Sequence, residues 1–257
     1  MSFGVRIFND AGHAQVSDEL MVPQFVGKVT TVDDNIVSQQ GAESGFESRS
    51  YSGQLPAFGG RDVMIFWTFP AGVWWYPPSV YLTSSASGAT AGMFALCAPD
   101  AVITGTPVGY VFALGSVISS GEQYAMRLWN AAGALMFDSS VLHLNLHQVA
   151  SGIALPVDSN HSATLSLPSK PAFLIPIAVR MQEEYDGILN SPDGTAHLKE
   201  WVSAISRTSS TVSTRLLLTY DGDYPSSDSS RAGYFEDQTY GNTSGLILPI
   251  IDAAIYD

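Results

Sequence analysis

Apolar and polar positions alternate along most of the chain, and Gly, Pro, Asn and Ser interrupt the alternation at short intervals. A period of two is the repeat of a strand with one buried face, and the interrupting residues are those that turn a chain. The pattern predicts strands near 3–9, 13–17, 25–32, 61–69, 79–84, 91–97, 108–114, 123–130, 133–138 and 140–147. Further strands are expected near 162–167, 172–181, 213–220 and 246–251. One window departs from the alternation. In HLKEWVSAISR, Leu198, Trp201, Val202 and Ile205 fall at i, i+3, i+4 and i+7, the single apolar stripe of a helix. Asp193 and Thr195 ahead of it are candidate caps. The expected class is all-β: tandem β-sandwich-like modules with one short amphipathic helix near 195–207. Residues 33–60 and 221–245 read as long loops rich in Gly and Ser.

The pattern also repeats itself. FGVRIFNDAG, Phe3 to Gly12, returns as YAMRLWNAAG, Tyr124 to Gly133, each position shifted by 121. As a strand, the first copy places Phe3, Val5 and Ile7 on one face and Gly4, Arg6 and Phe8 on the other. The second copy places Tyr124, Met126 and Leu128 against Ala125, Arg127 and Trp129. The aliphatic face is expected to be core. On the second face an Arg and an aromatic lie two positions apart, about 7 Å, where a guanidinium can lie along a ring. Asn opening the turn and Gly closing it predict a hairpin in each copy. The second copy thus marks the start of a second module, with residues 1–120 forming the first and 121–257 the other.

Composition narrows the function. The 257 residues carry 24 acidic and 11 basic side chains, a net charge of −13, with three Lys. Duplex phosphate needs clustered Lys and Arg, so nucleic acid is not an expected partner. The greasiest segment, Val63 to Tyr76, runs about 14 residues and is broken by Pro70 and Gly72, whereas a membrane span needs roughly 20. One cysteine, Cys97, forms no intrachain disulfide. Charged residues are only 14% of the chain, so part of the uncharged surface is expected to lie against other subunits.

Candidate sites are few. The stretch YDGDYPSSDSSRAGYFEDQTY combines rigid Tyr area with adaptable polar groups, the composition of binding loops. Its Tyr220, Asp221, Asp223, Tyr224, Asp228, Arg231, Tyr234, Asp237 and Tyr240 are the candidate receptor-binding residues. The acids there do not have EF-hand spacing, and no metal or other cofactor is expected. Trp74, Trp75 and Tyr76 run consecutively, so they cannot share one strand face; with Arg6, Phe8, Arg127 and Trp129 they form a candidate oligomer or assembly surface. His143, Asn145 and His147 join it as a polar strand face. Four strand residues separate the two His by some 13 Å, too far to share one metal ion. Glu184 and Asp186 could pair as glycosidase carboxylates, but acids ahead of Gly187 equally mark a strand end. No nucleophile-elbow, phosphate-loop or Cys/His metal spacing appears.

YAMRLWNAAGALMFDSS, preceded by GYVFALG, resembles a phrase in tail-tip and tail-fibre virion proteins of long-tailed bacteriophages, and the N-terminal copy resembles how such proteins begin. The resemblance covers roughly 1–32 and 61–147 and carries no catalytic residue. It implies a structural virion protein, made in the host cytoplasm and located in the phage tail. The expected partners are other tail proteins, copies of itself (a trimer is the usual arrangement) and a host cell-surface receptor, glycan or protein. The alternative is a carbohydrate-active enzyme or a lectin-like glycan-binding module.

Overall fold

The alternation folds into antiparallel strands with essentially no helix, an all-β chain. The computed structural model describes residues 6–8, 14–17, 22–37, 47–76, 83–85, 88–97, 101–157, 159–175, 179–186, 194–226, 235–240 and 246–257. In chain order the strands are β1 (Arg6–Phe8), β2 (Ala14–Ser17), β3 (Gln24–Thr30), β4 (Val32–Val37), β5 (Glu47–Gln54), β6 (Val63–Thr68) and β7 (Trp74–Tyr76). They continue with β8 (Thr83–Ser85), β9 (Gly88–Cys97), β10 (Val108–Ala113), β11 (Arg127–Trp129), β12 (Leu135–Asp138), β13 (Leu146–Ile153) and β14 (His161–Thr164). The last are β15 (Pro171–Phe173), β16 (Val179–Asp186), β17 (Gly194–Arg207), β18 (Thr211–Ser226), β19 (Phe235–Tyr240) and β20 (Leu246–Asp252), followed by a 3₁₀ turn at Ala253–Tyr256. Among the described residues no helix is long and apolar enough to cross a membrane.

Six strands pair in the order β13-β20-β15-β6-β10-β3. Strands β6 and β10 are apolar on both faces, which suits them to its middle. Gly109 faces Trp67 there, and a Cβ on it would come within 2.8 Å of Ile65 and 3.0 Å of the Trp67 ring. The sheet does not stay open. Phe25 donates its amide to Leu142, Leu144 donates to Pro23, both at 2.8 Å, and Gln24 bridges His143 along the free edge of β3. Two residues later the same chain pairs with β20 at the opposite edge. A flat sheet would hold those edges about 24 Å apart, whereas two residues span about 7 Å. Residues 142–153 therefore close the sheet into a small barrel. Phe66, Tyr110, Phe112 and Ile251 fill its interior, and Tyr256 from the last turn enters among them.

The outer face of this barrel packs on a second sheet, ordered β14-β18-β17-β7-β9-β5-β4, in which β16 pairs with β17 and β19. Between the layers lie Trp67, Phe69, Val111 and Phe173 from the barrel side, and Tyr51, Trp75, Met93, Trp201 and Ile205 from the other. A third, smaller core covers the far side of the second sheet with Tyr76, Leu96, Val202, Ala204 and Leu217.

Two sequence expectations change. Residues 195–207 are not a helix but most of the 14-residue strand β17. Trp201 and Ile205 face one core while Val202 and Ala204 face another, and a strand buried on both sides produces apolar spacing that imitates a helical stripe. The loops expected at 33–60 and 221–245 contain β4 and β5, and the end of β18 and β19. The sequences of β4 and β5, VDDNIV and ESRSYSGQ, are too polar to announce strands; β5 is placed by pairing with β9, and β4 by pairing with β5. Both large sheets draw strands from either side of residue 120: β15 pairs β6 at Phe173 and Trp67, and β17 pairs β7 at Ile205 and Trp75.

Candidate functional site

The repeated phrase forms two small hairpins. In the second, β11 pairs β12 with Arg127 opposite Asp138, Leu128 opposite Phe137, and Trp129 opposite Leu135, the register slipping between Leu128 and Trp129. In the first, Arg6 is opposite Ser17, Ile7 opposite Val16, and Phe8 opposite Ala14, with the slip between Ile7 and Phe8. Adding 121 to every position of the first reproduces the second, bulge included. The repeat is thus one of backbone geometry, not of composition alone. The second turn shows its cause. The Asn130 side chain accepts amides from Ala132 at 3.0 Å and Ala134 at 2.9 Å, and Gly133 takes φ +80°, where glycine is favoured. The first turn lies outside the described residues.

The expected core face of this hairpin is a surface. On that face Tyr124 is 95% exposed and Met126 46%, while Leu128 is half-buried; on the other face Trp129 is 55% exposed. The ribbon buries Met136 and Asp138 against the body of the protein but leaves Tyr124, Met126 and Trp129 largely in water unless something docks on them. Nor does Arg127 lie along Trp129. Its Nε reaches the buried Asp138 carboxylate across the ribbon at 2.8 Å. That carboxylate also accepts from the Ser119 hydroxyl at 2.7 Å, the Ser140 amide at 2.9 Å and the Ser140 hydroxyl. Burial alone would raise its pKa; these hydrogen bonds outweigh burial and hold the carboxyl well below the usual carboxylate range. Val117 donates its amide to Leu135 at 2.8 Å, so the ribbon's inner edge is tied to the loop that leads into it. The signal for this network was the Asp-Ser-Ser following an alternating strand, where an Asp side chain accepts an amide two residues on.

The other candidate residues separate. Among Trp74, Trp75 and Tyr76, the middle side chain is buried between the layers, donates Nε1 to Pro70 at 3.0 Å and sits 5.3 Å from the Tyr51 ring. Tyr76 is buried on the opposite face, stacked on Phe94 and bonded to Ser48 Oγ at 2.8 Å, while Arg215 lies over Trp74. The chain itself supplies cover to both faces of β7. His143, Asn145 and His147 do not share a strand face. The His143 ring stacks on Phe137 and bonds the Asp138 carbonyl, the Asn145 amide donates to Tyr256 Oη, and His147 bonds the Ser166 carbonyl.

The candidate receptor-binding residues lie on a four-stranded flank, β18-β17-β16-β19. One register row runs Asp221, Lys199, Gln182, Asp237; the next runs Asp223, His197, Glu184, Phe235. Opposed residues share a face in antiparallel pairs, so Asp221, Asp223 and Asp237 belong to one side. Tyr220 pairs with Glu200, Tyr224 with Ala196, and Tyr240 with Val179, which places the tyrosines on the other. Burial pushes the Glu200 carboxyl up from its ordinary value. Asp228, Arg231 and Tyr234 lie outside the described residues. The paired carboxylates Glu184 and Asp186 stand on β16, opposite His197 and Thr195. Comparison with known proteins finds no matching family model, no matching curated protein and no matching solved structure.

Proposed function

We propose that the protein is a structural component of a bacteriophage virion, part of the tail tip or tail fibre, which docks on neighbouring tail proteins through its repeated hairpins. The observation that carries this reading is the second hairpin: it is held rigidly by Asp138, yet turns Tyr124, Met126 and Trp129 to solvent. Aromatic side chains presented on a braced ribbon supply contact area with little entropy left to lose on docking. The first hairpin repeats the register of the second. In this reading the chain assembles as a homo-oligomer, in keeping with its low charge, and acts by binding without turnover. Host attachment falls to the flank, with Tyr220, Tyr224 and Tyr240 on one side and Asp221, Asp223 and Asp237 on the other. Particles carrying Tyr124→Ser and Trp129→Ser should lose this protein from purified tails, while the isolated double variant melts like the parent. Normal incorporation of the variant sinks the docking role.

The tyrosine face of the flank supports a second reading, a lectin-like module that stacks sugar rings on Tyr220, Tyr224 and Tyr240. Glycan-array binding that Tyr220→Ala abolishes, in a chain not found in virions, would favour it.

A further inference from the structure

The closed end of the barrel is a fully furnished pocket that already holds an occupant. Tyr256 inserts its ring 5.0 Å from both Phe25 and Phe112, tilted to the first and edge-on to the second, with Tyr110 at 6.4 Å. Its hydroxyl donates to the His143 carbonyl at 2.9 Å and accepts the Asn145 amide at 2.8 Å. A phenol therefore meets aromatic walls along its ring and a matched donor and acceptor at its oxygen. Little else holds the segment that delivers it. Of residues 253–256 only Ala253 and Tyr256 are buried, and Ala254 and Ile255 face solvent. The next side chain, Asp257, is clamped: Lys170 Nζ reaches it at 2.6 Å, Lys28 Nζ at 3.4 Å and the Tyr110 hydroxyl donates at 2.9 Å.

We infer that this end of the barrel is a phenol-binding site filled by the chain's own Tyr256, and that residues 253–257 form a releasable plug clamped through Asp257. The strands of the barrel hold each other by ladders that do not involve the plug, whereas the plug is tied by one backbone bond from Ala253 to Lys170, one inserted ring with its two hydroxyl bonds, and the exposed Asp257 clamp. An element with so few buried groups opens on its own, ahead of global unfolding. Opening leaves a site whose aromatic walls and polar end suit a tyrosine side chain or a small phenol.

The test titrates full-length Tyr256→Gly with p-cresol and with toluene. p-Cresol should bind one-to-one and saturably, roughly tenfold more tightly than toluene, which cannot make the hydroxyl's two hydrogen bonds. Equal binding of the two, or no saturable p-cresol binding to the folded variant, overturns the phenol site. Native-state hydrogen exchange on the unaltered chain decides the plug even if Tyr256→Gly does not fold. The Ala253 amide should exchange at least roughly tenfold faster than the Tyr110 and Val111 amides, and about tenfold faster again in Asp257→Asn. Exchange of Ala253 only together with those barrel amides overturns it.

Discussion

Replacing Asp138 by Ala should loosen the second hairpin and cost measurable global stability. The change removes the acceptor for Arg127 Nε, the Ser119 hydroxyl and the Ser140 amide and hydroxyl, all on a side chain with no exposed surface. Hydrogen bonds to a charged acceptor contribute about 1.5–3 kcal/mol each, but their sum overstates the loss. Arg127 keeps 22% of its side chain in water and can be rehydrated, as can the serine hydroxyls near the periphery. With that relief the expected cost is about 2–3 kcal/mol. Urea unfolding at pH 7 reads it directly. Titration supplies an independent check. Because the folded carboxyl is held below its usual range, its stabilisation is complete above the ordinary Asp value of about 3.9 and is lost as pH falls below that. The gap between parent and Asp138→Ala should therefore narrow by about 1 kcal/mol or more between pH 5 and pH 2.5, allowing for solvent screening. A cost below about 0.5 kcal/mol at pH 7, or a gap that does not narrow in acid, refutes the bracing role.

Three further variants probe the rest. Trp75→Ala empties the space between the layers beside Tyr51 and Phe69, and should cost about 3–5 kcal/mol in urea unfolding. Gly109→Ala forces a methyl onto Ile65 and the Trp67 ring, so about 1–3 kcal/mol is expected from overpacking, read as a lowered melting temperature. Tyr124→Ser with Trp129→Ser removes exposed side chains only, and the isolated protein should keep its stability within about 0.5 kcal/mol.

What the sequence revealed, and what it hid, divides along physical lines. Short apolar runs bounded by turn residues, such as β6 and β10, and the hairpin closed by Asn130 and Gly133 follow from local chemistry and were readable. Strand β17 was not, because burial of Trp201 and Val202 on opposite faces erases the period-two signal. Strands β4 and β5 owe their place to the ladders that join β4 to β5 and β5 to β9 more than to their own residues. Barrel closure depends on Leu142 and Leu144 meeting Phe25 and Pro23, more than a hundred positions away, which no local pattern encodes. The same holds for the candidate site. The repeat was plain in the sequence, but which side of the ribbon is covered was not: Met136 and Asp138 are buried while Tyr124 and Met126 face solvent, and Arg127 chose the carboxylate across the strand over the neighbouring ring. In the flank, tyrosines and acids adjacent in sequence fall on opposite faces because β18 is a strand and not a loop.

The proposed virion role is tested most directly by cryo-electron microscopy of phage tails purified from cells that produce this chain. The account predicts density for the chain at the tail, with Tyr124 and Trp129 buried against a neighbouring subunit. Tails without the chain, or a second hairpin facing solvent in the assembled particle, would contradict it.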